Sequence, residues 1–131
     1  MTALRPILNA SLPSAFREIR LTLAREPDRP EGDEMIKYVF IAPLSPEGKI
    51  DAELWRRHRD ACRVARSRPG KPDIQGHLIH RAGGSWAFHY ESIADDVGFH
   101  FQDEHFVEGE YVSVREAGKF RPFRVAQVER L

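Results

Sequence analysis

GHLIHRAGGSWAFHYE, residues 76–91, decides the fold. Wound as a helix, this stretch would set His77 and His80 on one face, three apart, as a ready pair of metal ligands. Pleated as a strand, it points them in opposite directions. Gly76, Gly83 and Gly84 disfavour a helix. Trp86, Phe88 and Tyr90 alternate with Ala87 and His89, as in a strand with two unlike faces. The reading is a β-hairpin that turns at the diglycine, with its register left open. A two-residue Gly83-Gly84 turn sets Arg81 opposite Trp86 and His77 opposite Tyr90, with His80 diagonal to His89. A turn with an odd number of residues sets His77 directly against His89 and His80 against Trp86. The turn therefore chooses which histidines can cooperate.

Outward from the hairpin, the same period recurs. In FREIRLTL, Ile19, Leu21 and Leu23 alternate with polar neighbours, and IKYVFIAPL (36–44) is a nearly continuous apolar run expected of a central, buried strand. Further strands are predicted at 74–81, 85–91, 98–102, 110–116 and 121–129, with Glu116 to Lys119 as a turn through Gly118. One helix is predicted near 51–62, capped by Asp51, with Leu54, His58, Ala61, Cys62 and Ala65 on one face and arginines elsewhere. Its end is open, because CRVARSR also alternates. The fold class is mainly β: about seven strands in an antiparallel, partly closed sheet or small SH3-like barrel, with one helix. Residues 1–15 read as a flexible leader and 16–131 as a single β-rich domain.

Of 131 residues, 41% are hydrophobic and 31% charged, with a formal net charge of zero. Such a chain can bury a core, and no global field draws it to nucleic acid or an anionic membrane. Charge is nonetheless segregated. Asp51 to Lys71 holds seven basic residues against three acidic ones, while Glu91 to Glu110 holds seven acidic residues and no Lys or Arg. The two segments are expected to attract one another, within the chain or across a homodimer. The lone Cys62 excludes an intramolecular disulfide and a cysteine-based zinc site, and its expected place is the core. No stretch approaches the roughly 20 apolar residues of a membrane helix, so the expected setting is cytoplasmic with no membrane partner.

The stretches GHLIH, GSWAFHYE and FVEGEYVSVREAGKFRPFRVAQVE resemble a group of small bacterial proteins with no assigned activity, over most of the chain from Phe16 onward. That resemblance implies a bacterial cytoplasmic setting and no mechanism. The closing segment also resembles the strands of SH3-like barrels.

The leading functional reading is a non-enzymatic module that binds a small molecule or protein near His77, His80, Arg81, Trp86, His89 and Tyr90. Trp86, Phe88 and Tyr90 are themselves expected to be core, the alternative being an open stacking platform. A second reading is nucleic-acid binding through an Arg-rich helix over 51–68, with Arg56, Arg57, Arg59, Arg63 and Arg66 on phosphate. A third is a metal-dependent enzyme using His80, His89 and a further ligand from His100, His105 or Asp103. No cofactor is expected beyond that divalent metal. Walker, dinucleotide-binding, paired-cysteine and H-E-x-x-H motifs are absent from the sequence.

Overall fold

In a computed structural model, which describes residues 12–131 apart from the side chain of Phe99, eight antiparallel strands form one closed barrel. They are β1 (Phe16–Leu23), β2 (Asp33–Pro43), β3 (Arg63–Ser67), β4 (Ile74–His80), β5 (Trp86–Tyr90), β6 (Asp96–Phe99), β7 (Tyr111–Glu116) and β8 (Lys119–Arg130). Each strand pairs with the next, and β8 returns to β1, so no sheet edge is exposed. Residues 1–11 of the expected leader lie outside the described residues.

The expected seven strands are all present, and closure is complete rather than partial. The eighth strand, β3, lies where the helix was expected to continue. The α-helix α1 spans only Ala52–Arg57, followed by a 3-10 turn at Arg59–Ala61. Asp51 caps α1 as expected, its carboxylate accepting from the backbone N–H groups of Glu53 (3.0 Å) and Leu54 (3.1 Å). The helix expected near 51–62 is present as this short α1 and the 3-10 turn after it, but the Arg-rich helix expected over 51–68 is corrected, because the chain passes into β3 at Arg63. Arg63 and Arg66 belong to a strand because Lys37 to Phe40 of β2 and Ile74 to His77 of β4 pair with it on either side. The strand expected at 98–102 is also corrected. It runs Asp96–Phe99, and the chain turns at His100, whose φ is 60°.

The diglycine hairpin adopts the odd register. His77 pairs with His89, Leu78 with Phe88 and His80 with Trp86. Five residues, Arg81 to Ser85, make the connection, held by hydrogen bonds from Arg81 N to Ser85 O (2.7 Å) and Gly84 N to Arg81 O (3.0 Å). Gly83 and Gly84 sit at φ 94° and 93°, which side chains rarely tolerate. The alternation of the sequence now has a physical meaning. Leu78, Trp86, Phe88 and Tyr90 face the barrel axis and are buried, whereas His77 and His89 face out.

Aromatic side chains fill the barrel. Tyr38 packs on Phe88 and Phe123 with ring centroids 4.8 and 5.1 Å apart, and Phe40 packs on Phe88 at 5.1 Å. The connections β2–β3, β4–β5 and β6–β7 gather at one end and close it. Trp55 of α1 meets Trp86 edge to face and donates its indole N–H to the Leu78 carbonyl, while Phe101 and Phe106 complete the plug. The opposite end carries the connections β1–β2, β3–β4, β5–β6 and β7–β8. The last is a two-residue turn in which Ala117 and Gly118 have φ of 49° and 80°, a geometry that favours Asn-Gly. Ala117→Asn is therefore expected to raise stability by about 1 kcal/mol, because it relieves a left-handed alanine. A urea unfolding midpoint that does not rise would contradict this.

Candidate functional site

At the end that carries the β1–β2 and β7–β8 connections, the inward faces of the strands change from aromatic to ionic. Val64 is followed two residues later by Arg66. Val112 and Val114 lead to Glu116, and Val125 and Phe123 lead back to Arg121. Side chains two apart share a face of a strand, so these charged groups are carried into the barrel by their neighbours' burial. Asp96 opens β6 opposite Phe88. Asp96 and Glu116 are only 3% and 7% exposed.

Such burial is tolerated only with partners. Asp96 Oδ2 accepts from the Tyr38 hydroxyl, the Tyr90 hydroxyl and Arg66 Nε, each at 2.9 Å. Glu116 Oε2 accepts from the Tyr38 hydroxyl and from Arg68, and its Oε1 from Arg121 at 3.2 Å. Arg121 grips Glu26 in a two-pronged pair, Nε to Oε2 and NH2 to Oε1, both 2.9 Å. Glu26 lies on the β1–β2 connection, so this pair straps that loop across the mouth. The cluster holds three arginines and three carboxylates and is neutral when all six are ionised.

Tyr38 has one proton to give and two carboxylates within reach. Burial pushes the hydroxyls of both Tyr38 and Tyr90 far above the usual tyrosine range, with Glu116 and Asp96 adding for Tyr38 and Asp96 for Tyr90. Both are therefore neutral donors at physiological pH. Burial alone would raise Glu116. The Tyr38 hydrogen bond and the Arg68 and Arg121 guanidinium groups outweigh it, and its carboxyl lies below the usual glutamate range.

Above the cluster lies a cleft of about 610 Å³ between the 25–29 loop and the tip of the β7–β8 hairpin. Arg66, Glu116 and Arg121 reach its floor, Arg25, Arg29 and Lys119 stand on its rim, and Phe120 forms a wall.

The residues expected from the sequence are dispersed. Trp86 and Tyr90 are buried, as expected of core. Tyr90 belongs to the cluster, but Trp86 lies at the closed end, with His80 stacked on it at 4.2 Å and donating from Nε2 to the Gly84 carbonyl at 3.1 Å. His77 and His89 are exposed on the outside of the barrel, where His89 Nδ1 meets Asp95 at 2.8 Å, and Arg81 is exposed in the turn. The candidate binding surface near these residues is thus split between two faces of the sheet and two ends of the barrel. His80 points inward and His89 outward, His100 is in a turn and His105 is bonded to the Glu47 carbonyl, so these four share no ligand set. Among the described residues no three His, Cys, Asp or Glu converge as metal ligands. Arg56 and Arg57 are exposed on α1 and paired with Glu53, and Arg59 lies over the Trp55 ring. Arg63 faces outward opposite His77, and Arg66 faces inward. The expected attraction between the basic and acidic segments occurs within the chain, as Arg66 with Asp96.

Cys62 is fully buried, and burial raises its thiol to about 12, which suits core rather than reactivity. Among the described residues no helix is long and apolar enough to cross a membrane. No protein-family model, curated protein or solved structure matches the chain.

Proposed function

We propose that this protein is a binding module whose ligand is a small anion, a carboxylate or phosphate compound, held in the mouth of the barrel. One observation carries the reading: a neutral, buried arginine–carboxylate cluster forms the floor of a cleft whose rim adds Arg25, Arg29 and Lys119 against Asp28 and against Asp33, which pairs with Arg29 at 3.6 Å. The surplus is positive, and a concave, partly desolvated site strengthens its attraction for an anion. The floor is also pre-organised. Buried carboxylates already hold Arg66, Arg68 and Arg121, so little side-chain freedom remains to be lost on binding.

Binding suits the cluster better than acid–base catalysis. The tyrosines are moved upward and Glu116 downward, both away from neutrality, whereas a general acid or base works best near the ambient pH. Nucleic-acid binding through Arg56, Arg57, Arg59, Arg63 and Arg66 lacks a common surface, because the five lie on different elements and faces. The metal-dependent reading has no converging ligands among the described residues.

Titration of the protein with inorganic phosphate, pyrophosphate and citrate at low ionic strength, followed by NMR of the arginine Nε–H groups and of the backbone, tests the proposal. Saturable shifts are expected at Arg121 and Lys119, with loss of the response in the rim variant Arg25→Ala/Lys119→Ala. If millimolar anion leaves these resonances unmoved, or moves α1 equally, the mouth is not an anion site.

A further inference from the structure

Of the carboxylates in the cluster, Asp96 and Glu116 are built into strands, and tyrosine hydroxyls donate to both. Glu26 stands instead on the β1–β2 connection. Among the described residues, its side chain takes its hydrogen bonds from Arg121, in a two-pronged pair with both partners less than one-fifth exposed. The segment that carries Glu26 is a small unit of its own. Glu26 and Arg29 exchange backbone hydrogen bonds of 3.0 and 2.9 Å around Pro27 and Asp28, and the chain re-enters β2 through Gly32 at φ 73°. Arg121, by contrast, is fixed from within the barrel. Its Nη1 donates to Glu116 at 3.2 Å, which leaves the Nε–Nη2 edge to meet a carboxylate at the cleft.

We infer that the Glu26 carboxylate holds the place of a ligand's carboxylate on Arg121, and that the ligand is a small dicarboxylate which displaces Glu26 and frees the 24–32 segment from the mouth. The inference rests on the anion-binding reading and names the anion. An arginine fork matches a planar carboxylate through two parallel hydrogen bonds, and Glu26 shows that fit in place. The charge balance sets the number of carboxylates. Once Glu26 leaves, Asp96 and Glu116 face Arg66, Arg68 and Arg121, a surplus of one positive charge on the floor. On the rim, Arg25, Arg29 and Lys119 outnumber Asp28 and Asp33, again by one. A ligand with one negative charge on the floor and a second at the rim restores neutrality at both levels, whereas a phosphate group sets all its charge on the floor. Because Glu26 must leave first, the ligand's apparent affinity is reduced by the fraction of time the fork is open.

Affinities of the full chain for succinate, acetate and inorganic phosphate, measured for wild type, Glu26→Gln, Glu26→Ala and Glu31→Gln, test this. Glu31 is exposed on the same segment and outside the Arg121 pair, so its variant removes an equal charge without opening the fork. Glu26→Gln is expected to bind succinate at least about tenfold tighter than wild type, as for a fork open about a tenth of the time or less. Glu26→Ala, which removes the acceptor as well, is expected to match or exceed that gain, and Glu31→Gln to change affinity less than about twofold. In wild type, saturation with succinate is expected to lower the backbone NMR order parameters of residues 25–29, the sign of a released segment. Equal succinate affinity in wild type and both Glu26 variants overturns the inference and leaves the anion site standing. So does an equal gain in Glu31→Gln, or a Glu26→Ala protein that prefers acetate or inorganic phosphate to succinate. Failure of every compound on every variant overturns both.

Discussion

Glu116→Ala is expected to lower stability by about 3–5 kcal/mol, the usual result of deleting one member of a buried ion pair. The loss arises less from the attraction removed than from what is left behind. Arg68 and Arg121, each less than one-fifth exposed, would keep their charge with no carboxylate of Glu116 to meet it, and Tyr38 would lose one of its two acceptors. Glu116→Gln retains an oxygen acceptor for Tyr38 and is expected to cost less. Arg56→Ala, which breaks an exposed pair with Glu53, is expected to cost less than about 1 kcal/mol. Urea unfolding of the three variants at pH 7 checks the order. A Glu116→Ala protein as stable as Arg56→Ala would show that the cluster does not hold the barrel mouth together.

The same carboxylate sets a pH dependence. Glu116 is depressed in the folded protein, so the unfolded chain takes up its proton first as pH falls. Its contribution is therefore present above the ordinary glutamate value, about 4.3, and is lost as pH falls through the lower folded value. Glu26, lowered chiefly by its hydrogen bond from Arg121, acts in the same direction. Glu18 and Glu104, raised chiefly by burial, act in the opposite one. The difference between wild type and Glu116→Gln isolates the group. It is expected to be widest above about pH 5 and to narrow below about 4.3. A difference constant from pH 7 to pH 3 would contradict the assignment.

The strands were legible where apolar and polar residues alternate, as in Ile19, Leu21 and Leu23 or Trp86, Phe88 and Tyr90. β3 was not, for a physical reason: its inward face carries Val64 and then Arg66, while Ala65 and Ser67 on the outward face are buried. Neither face reads as consistently apolar, and the preceding helix supplied a competing period through Leu54, His58, Ala61 and Ala65. The cluster was obscured in the same way, because charged residues at strand ends ordinarily mark solvent. Its signal was nevertheless in the phase. Continuing the pattern of Val112 and Val114 by two places reaches Glu116, and running Val125 and Phe123 back by two reaches Arg121. The histidines drew attention because their chemistry is conspicuous, yet their faces depended on a turn length that the sequence left open.

That register rests on Gly76. It pairs with Tyr90 at the start of the hairpin, and its backbone needs no positive φ. What it needs is the absence of a side chain. A Cβ there would lie 2.1 Å from the His89 carbonyl oxygen and 2.7 Å from the Tyr90 ring. Neither can yield cheaply, since the first is backbone in the paired strand and the second is the ring whose hydroxyl holds Asp96. Gly76→Ala is accordingly expected to cost about 3 kcal/mol, at or beyond the upper end of ordinary overpacking. Gly84→Ala provides the contrast. No atom lies within 4 Å of its added Cβ, so only the positive φ is penalised, at about 1–2 kcal/mol. Urea unfolding, with the Tyr90–Asp96 contact monitored by NMR, measures both. If Gly76→Ala proves no worse than Gly84→Ala, β4 and β5 do not approach as closely as this register requires. The placement of Tyr90 beside Asp96 would then fail with it.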